Sequence, residues 1–246
     1  MKRRDVVFAV LGGFFLVNAV VAELIGGKLV YVGPESWRLF GQRPVASVGV
    51  FPWPIVFVVT DLVNEYFGRR GVRRLTFLTV GLIVYVFGLL AVVRMPSAAP
   101  FGVGDAAFDA VFGQSQWIIA GSIAAFCLSQ LVDVFVFHVL RRRTGPARLW
   151  MRATGSTVVS QLIDSVVVLW IGLALPLGWS ASEFAAAAVP NYLIKLTIAL
   201  AMTPAVYLLH WAVERYLGRE EARSLAEAAA ADVALDQVGA ETAPKA

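Results

Sequence analysis

Residues 117–140 read WIIAGSIAAFCLSQLVDVFVFHVL, and Arg141, Arg142 and Arg143 follow directly. A helix needs about 20 apolar residues to cross a hydrocarbon core about 30 Å thick, and this run supplies them. Working outward from it, five more runs have comparable character: 6–26, 45–67, 75–93, 156–177 and 184–211. The composition agrees. Of 246 residues, 59% are hydrophobic and 15% are charged, and the mean hydropathy is +0.73. An average soluble domain is roughly 25% charged. A soluble enzyme and a disordered chain are both excluded on these grounds. The reading is an all-α integral membrane protein, a bundle of six transmembrane helices within residues 1–217. Residues 218–246, rich in Ala and Glu, read as a cytoplasmic tail that is a frayed helix or disordered.

The net charge of +4 is explained by where the bases sit. Lys2, Arg3 and Arg4 precede the first run, and Arg69, Arg70, Arg73 and Arg74 separate the second from the third. Arg141, Arg142, Arg143, Arg148 and Arg152 separate the fourth from the fifth, and Arg215, Arg219, Arg223 and Lys245 follow the sixth. The other side receives only Lys28, Arg38, Arg43 and Arg94. The positive-inside bias then places both termini in the cytoplasm and the chain as a multi-pass protein of the cytoplasmic (inner) membrane. Nucleic acid is not an expected partner, and the lipid bilayer is. The first run is too long for a signal-peptide core, and no small-residue cleavage site follows it. A single cysteine, Cys127, precludes a disulfide framework. His138 and His210 lie far apart and read as imidazoles at the membrane interface, so neither a metal nor another cofactor is expected.

The informative residues are those that do not belong in oil. An ionisable group at the bilayer centre costs about 2.5–3.5 kcal/mol on insertion scales. Glu23, Asp61, Asp133, Asp164 and Lys195 are such groups, whereas Glu65 lies close to Arg69 at the run's end. Two runs repeat a phrase: Ser129-Gln130-Leu131-Val132-Asp133 and Ser160-Gln161-Leu162-Ile163-Asp164. In each, Gln and Asp are three apart and share a helix face. Counted from the flanking basic loop, Asp133 lies about 12 Å deep and Asp164 about 13 Å deep. Both Gln–Asp pairs are therefore expected at one level, lining a polar cavity, with Ser129 and Ser160 holding helices together.

The second run is broken by Phe51-Pro52-Trp53-Pro54, since proline lacks the amide donor and constrains its predecessor. Interrupted segments of this kind mark transport sites. Beyond the break, Asp61 and Glu65 share one face, as do Thr60 and Asn64. The sixth run opens on a capping box, Ser180-Ala181-Ser182-Glu183, and is interrupted by Pro190 and Pro204. Asn191 and Lys195 share a face there, at an outer depth comparable to that of Glu23. Glu23 and Lys195 either pair with one another, as a structural or gating ion pair, or contact the ligand.

These stretches resemble the YhhQ-type queuosine-precursor transporters of the vitamin-uptake (VUT) group. The resemblance rests on Phe51-Pro52 running into Thr60-Asp61-Leu62-Val63-Asn64-Glu65-Tyr66-Phe67-Gly68, on the two Ser-Gln-Leu-x-Asp phrases, on Gly155-Ser156-Thr157, and on Asn191-Tyr192-x-x-Lys195 with Thr203-Pro204. It implies a six-helix bundle related to the substrate-binding subunits of ECF-type vitamin transporters. It also implies import of 7-deazaguanines, such as 7-cyano-7-deazaguanine, for salvage into tRNA. The residues offered for such a ligand are Asp61, Asn64, Gln130, Asp133, Gln161, Asp164 and Asn191 for its polar edge. Phe51, Trp53, Phe126 and Tyr192 are offered for its ring face. A carboxylate accepts from two donors, and an amide both gives and accepts.

Two alternatives stay open at this stage. One is a proton- or ion-coupled transporter of another small solute, and the other is an intramembrane aspartyl protease. Gly102-Val103-Gly104-Asp105 has the spacing of one protease class but lies in an outside loop. No nucleotide-binding Gly-x4-Gly-Lys-Ser/Thr occurs, so ATP coupling would come from other subunits. Energising subunits and homo-oligomers are equally compatible with the sequence.

Overall fold

The structure, a computed structural model, describes residues 2–113, 116–144 and 149–241. Arg148 and Lys245, counted among the cytoplasmic bases, lie outside the described residues. The chain runs α1 (Arg3–Gly26), β1 (Leu29–Tyr31), β2 (Val45–Ser47), a 3-10 turn (Val48–Val50), α2 (Trp53–Val93), α3 (Asp105–Phe112) and α4 (Gln116–Thr144). It continues through α5 (Leu149–Leu169), a π turn (Trp170–Ala174), α6 (Leu175–Leu177), α7 (Ala181–Ala201), α8 (Thr203–Leu217) and α9 (Arg219–Glu241). Among the described residues the fold is all-α apart from one short ribbon. Among the described residues, five stretches are long and apolar enough to cross a membrane: Arg3–Gly26, Val48–Val93, Asp105–Thr144, Thr154–Leu177 and Ala181–Ala201.

Helix α2 has 41 residues, about 62 Å of rise and twice a hydrocarbon core. It is not straight. Gly68 has φ 64 and ψ −170, a conformation open to glycine and costly for any residue with a Cβ. The two arms lie along α1 in opposite senses. Ala22 of α1 backs onto Gly49, just before the first arm, and Phe8 meets Phe67 at its far end, with ring centroids 5.0 Å apart. Past the break, Gly12 touches Leu75. The chain thus passes down α1, turns at Gly68 and climbs back. Val7, Leu11 and Phe15 of α1 pack there with Trp53, Phe57 and Leu62 of α2 and Phe126 of α4. Phe77, Tyr85, Leu131 and Phe135 point outward, where a bilayer would solvate them.

Two elements differ from the sequence-based expectation, and a third is more ordered than expected. The stretch before Pro54 was expected to be non-helical, and it is: Val45–Ser47 pairs antiparallel with Leu29–Tyr31, and the helix starts at Trp53 with Pro54 in its first turn. Proline at 52 and 54 permits a helix start and forbids its extension backward. The sixth run was expected to be one span over 184–211. The helix continues through Pro190 but stops at Ala201, and Pro204 opens the separate α8.

The tail, expected to be frayed or disordered, is helical over Arg219–Glu241. Ala222 and Ala229 are buried, Leu225 and Ala226 pack on the core, and Arg141 Nη2 donates to the Ala226 carbonyl at 2.8 Å. Alanines give α9 a face flat enough to lie on the Gly68 turn, where a Cβ at Gly68 would come within 3.3 Å of the Ala229 carbonyl.

Gly68→Ala is expected to strain the turn and push α9 away. The cost is about 1–3 kcal/mol, read as a fall of about 5 °C in the thermal midpoint and faster proteolysis after Leu217. An unchanged midpoint and unchanged cleavage would remove the turn from this role.

Candidate functional site

The ribbon and the broken helices converge at the end of the bundle opposite the Arg69–Arg74 turn. A cavity opens there between α1, the Ser47–Val50 turn, α2, α4, the π turn and α7. It holds about 630 Å³ of unfilled space, the open solvent at its mouth included. Its polar lining is Glu23, Ser47, Ser122, Asn191 and Lys195, beside the indole of Trp53.

Each wall has a local cause. Asn191 donates to the Ala187 carbonyl at 2.8 Å and accepts from the Ser47 amide at 3.1 Å, which ties the ribbon to α7. Ser47 Oγ donates to the Gly26 carbonyl at 2.6 Å and caps the 3-10 turn by accepting from Gly49 N. Trp53 leans on Phe126, with centroids 5.4 Å apart. The π turn brings Gly172 so close to α4 that a Cβ on Gly121 would stand 2.7 Å from the Gly172 amide nitrogen. Single π turns recur at functional sites because they displace a wall without ending the helix.

The floor is charged. Lys195 Nζ forms a short ion pair with Asp164 Oδ2, and both side chains are almost fully buried. Glu23 stands beside this pair, close enough to interact with both charges, and accepts a hydrogen bond from Ser122. The expected Glu23–Lys195 couple is thus a cluster of three, in which Asp164 holds the ammonium in place.

Deeper in, α5 carries a series of contacts at one-turn spacing. Ser160 Oγ donates to Asp133 Oδ1 at 3.0 Å. One turn further, Ser156 Oγ donates to Asp61 Oδ1 at 3.4 Å and lies close enough to interact with Asp133 as well. Gln130 meets Thr60 at 3.4 Å. Asn64 and Gln161 are fully buried, and neither amide has a hydrogen-bond partner at its oxygen or nitrogen.

The expected site residues therefore divide. Glu23, Trp53, Asn191 and Lys195 line the cavity, with Asp164 directly behind Lys195. Asp61, Asn64, Gln130, Asp133 and Gln161 belong to the deeper seam. Phe51 is 57% exposed and lies outside the cavity lining. Tyr192 is also outside it, its hydroxyl donating to the Val158 carbonyl at 3.4 Å. Ser47, Ser122 and Gly172 line the cavity without having been singled out. Ser122 had a signal, since it lies two helical turns before Ser129 on the stripe that ends at Asp133.

Glu65, taken for a solvated neighbour of Arg69, is instead buried and paired with Arg141 at 3.5 Å. It lines a second cavity, at the end of the bundle that carries the arginine turn, with Tyr66, His138, His210 and Glu214 beneath α9. The Tyr66 hydroxyl and His210 Nδ1 are 2.6 Å apart there.

Aspartyl proteolysis needs two carboxyls sharing one proton. Asp164 is neutralised by Lys195, and Asp133 is engaged by serines one turn away. Asp105 of the Gly-x-Gly-Asp phrase accepts from the Ala98 amide at 2.9 Å and opens α3. Asp133 and Asp164 do not form such a dyad.

Lys195→Met would leave Asp164 buried without its counter-charge, a loss of about 3–5 kcal/mol. Adding Asp164→Asn is expected to restore most of that stability in thermal unfolding of the purified protein. A double variant no more stable than the single one would show that the pair is not what holds α5 to α7.

Comparison with known proteins supplies the lineage. The family described as "Putative vitamin uptake transporter" matches residues 47–209. A probable queuosine precursor transporter of Bacillus subtilis is 30% identical over 177 residues, covering 70% of this chain and 74% of that protein. The queuosine precursor transporter of Escherichia coli is 29% identical over 196 residues, covering 75% of this chain and 85% of its own. A probable queuosine precursor transporter of Haemophilus influenzae is 26% identical over 162 residues, 65% of this chain and 66% of that one. No solved structure matches the chain. With a family match that starts at the last residue of the ribbon's second strand and includes the seam and all of α7, the chain belongs to the vitamin uptake transporters, a family of membrane transporters and not of enzymes.

Proposed function

We propose that this protein imports queuosine precursors, 7-deazaguanines such as 7-cyano-7-deazaguanine, through the cytoplasmic membrane for salvage into tRNA modification. The observation that carries this reading is the outer cavity, in which a carboxylate, an ammonium and an indole converge. A guanine-like edge presents a ring N–H and an amino group beside a carbonyl. Glu23 accepts from the two donors, and Lys195, oriented by Asp164, donates to the carbonyl. Trp53 covers one ring face. Gly26, Gly27, Gly49 and Gly172 line the cavity without side chains, which leaves a slot suited to a flat bicycle. Asn191 spends its amide on Ser47 and Ala187 and shapes the slot. The relatives named as queuosine precursor transporters support the same substrate class.

Residues 1–217 form the transport domain in this reading. The Val48–Val93 stretch crosses twice, turning at Gly68, so the bundle makes six crossings in the manner of ECF-type binding subunits. The turn carries Arg69, Arg70, Arg73 and Arg74, and the positive-inside bias sets it with both termini in the cytoplasm.

The test is a cell unable to make deazaguanine, supplied with 7-cyano-7-deazaguanine and scored for queuosine in its tRNA. This protein is expected to restore the modification. Glu23→Gln and Asp164→Asn are expected to lower uptake at least about tenfold, the worth of one charge-assisted hydrogen bond, while still inserting. Full uptake by both variants would move the substrate out of this cavity, and no modification with the unaltered protein would end the import reading.

A further inference from the structure

The cavity uses Glu23, Lys195 and Asp164 and leaves the deeper carboxylates without a task. Asp133 is the more demanding of the two. It is 0% exposed, and its Oδ2 has no hydrogen-bond partner. Ser160 donates to its carboxyl, and Ser156, which donates to Asp61, lies close enough to interact with it as well. One hydroxyl therefore stands between a carboxylate of α2 and a carboxylate of α4 in the middle of the bundle.

The charged groups around Asp133 leave it without a described counter-ion. From α2 come Asp61, through Ser156, and Glu65, which pairs with Arg141. From α5 comes Asp164, neutralised by Lys195 of α7. Along α4 the next titratable groups are His138 and Arg141, both lining the cavity under α9. A carboxylate withdrawn from water with no described counter-ion does not stay ionised, and a proton is the smallest charge that relieves it.

Asp133 also sits at the seal. On one side the outer cavity ends at Lys195. On the other a narrow crevice reaches Asp61 between Thr154, Thr157 and Thr203. Neither space is lined by Asp133.

Building on the import reading above, we infer that Asp133 is the proton-carrying residue that couples uptake to the transmembrane proton gradient. One O–H bond forms on its carboxylate with a proton from the outer aqueous side. The same bond breaks when that proton leaves past Asp61 to cytoplasmic water. No other bond changes, and one proton moves inward per cycle.

The full chain in liposomes tests this in two ways. Without substrate, the infrared spectrum of the unaltered protein is expected to show the C=O stretch of a protonated carboxyl that shifts in D2O. Asp133→Asn is expected to lack that band. With labelled 7-cyano-7-deazaguanine, the unaltered protein is expected to accumulate the probe when the outside is acidic, to acidify the lumen as it does so, and to lose accumulation with a protonophore. Asp133→Asn is expected to lose gradient-driven accumulation, and Asp133→Glu to regain part of it.

Exchange of the probe with no lumenal acidification overturns the coupling and leaves the import reading standing. No exchange at all overturns the import reading, and the infrared band then decides the Asp133 proton alone: its absence from the unaltered protein refutes the assignment.

Discussion

The pairing of Lys195 with Asp164 is the constraint from which the rest of the cavity end follows. An ammonium and a carboxylate are both withdrawn from water there, and only mutual contact with further polar neighbours offsets their desolvation. Contact fixes the rotation of α7 against α5 at that level. It thereby places Asn191, one turn before Lys195, against the ribbon at Ser47. Glu23 completes the polar floor from α1, steadied by Ser122 of α4. Four helices are thus indexed to one another by charge at the depth where the π turn shifts a wall. Apolar packing alone would leave these helices free to rotate.

Much of the architecture was legible because bilayer thickness converts directly into run length. The apolar runs, the basic turn at residues 69–74 and the break at Phe51-Pro52-Trp53-Pro54 could all be placed from the sequence. What it could not show was lateral. The ribbon of Leu29–Tyr31 with Val45–Ser47 is too short for period-two alternation to stand out from an apolar span. The Ala- and Glu-rich tail has the composition of a solvated helix, and its docking depends on a bare Gly68 that is remote in sequence. The costly carboxylates were visible as costly, but their partners were not, since rotation about each helix axis decides whether Lys195 meets Glu23 or Asp164.

One error of depth has a simple origin. Asp133 and Asp164 were expected at one level because both were measured from the arginine loop. The helices themselves run further. Asp133 lies about 17 Å of rise from the end of α4 at Thr144, and Asp164 about 23 Å from the start of α5 at Leu149. The difference is one turn. It sets the two carboxylates at different levels, Asp164 behind the cavity's Lys195 and Asp133 against Ser160.

That separation bears on how such a bundle moves. In the seam, Asn64 and Gln161 leave hydrogen-bonding capacity unused, at about 1–3 kcal/mol per buried group. A packing with such unmade bonds cannot be much deeper in free energy than one in which they are made, and a transporter requires two states of comparable depth. The end of the bundle under α9 is set up similarly. The guanidinium of Arg141 pairs with Glu65 of the first arm of α2 and donates to Ala226 of α9. Any displacement of α4 that carries Asp133 toward the crevice must also strain both of those contacts. The buried seam, the cavity under α9 and the docked tail are therefore mechanically one unit, joined through α4.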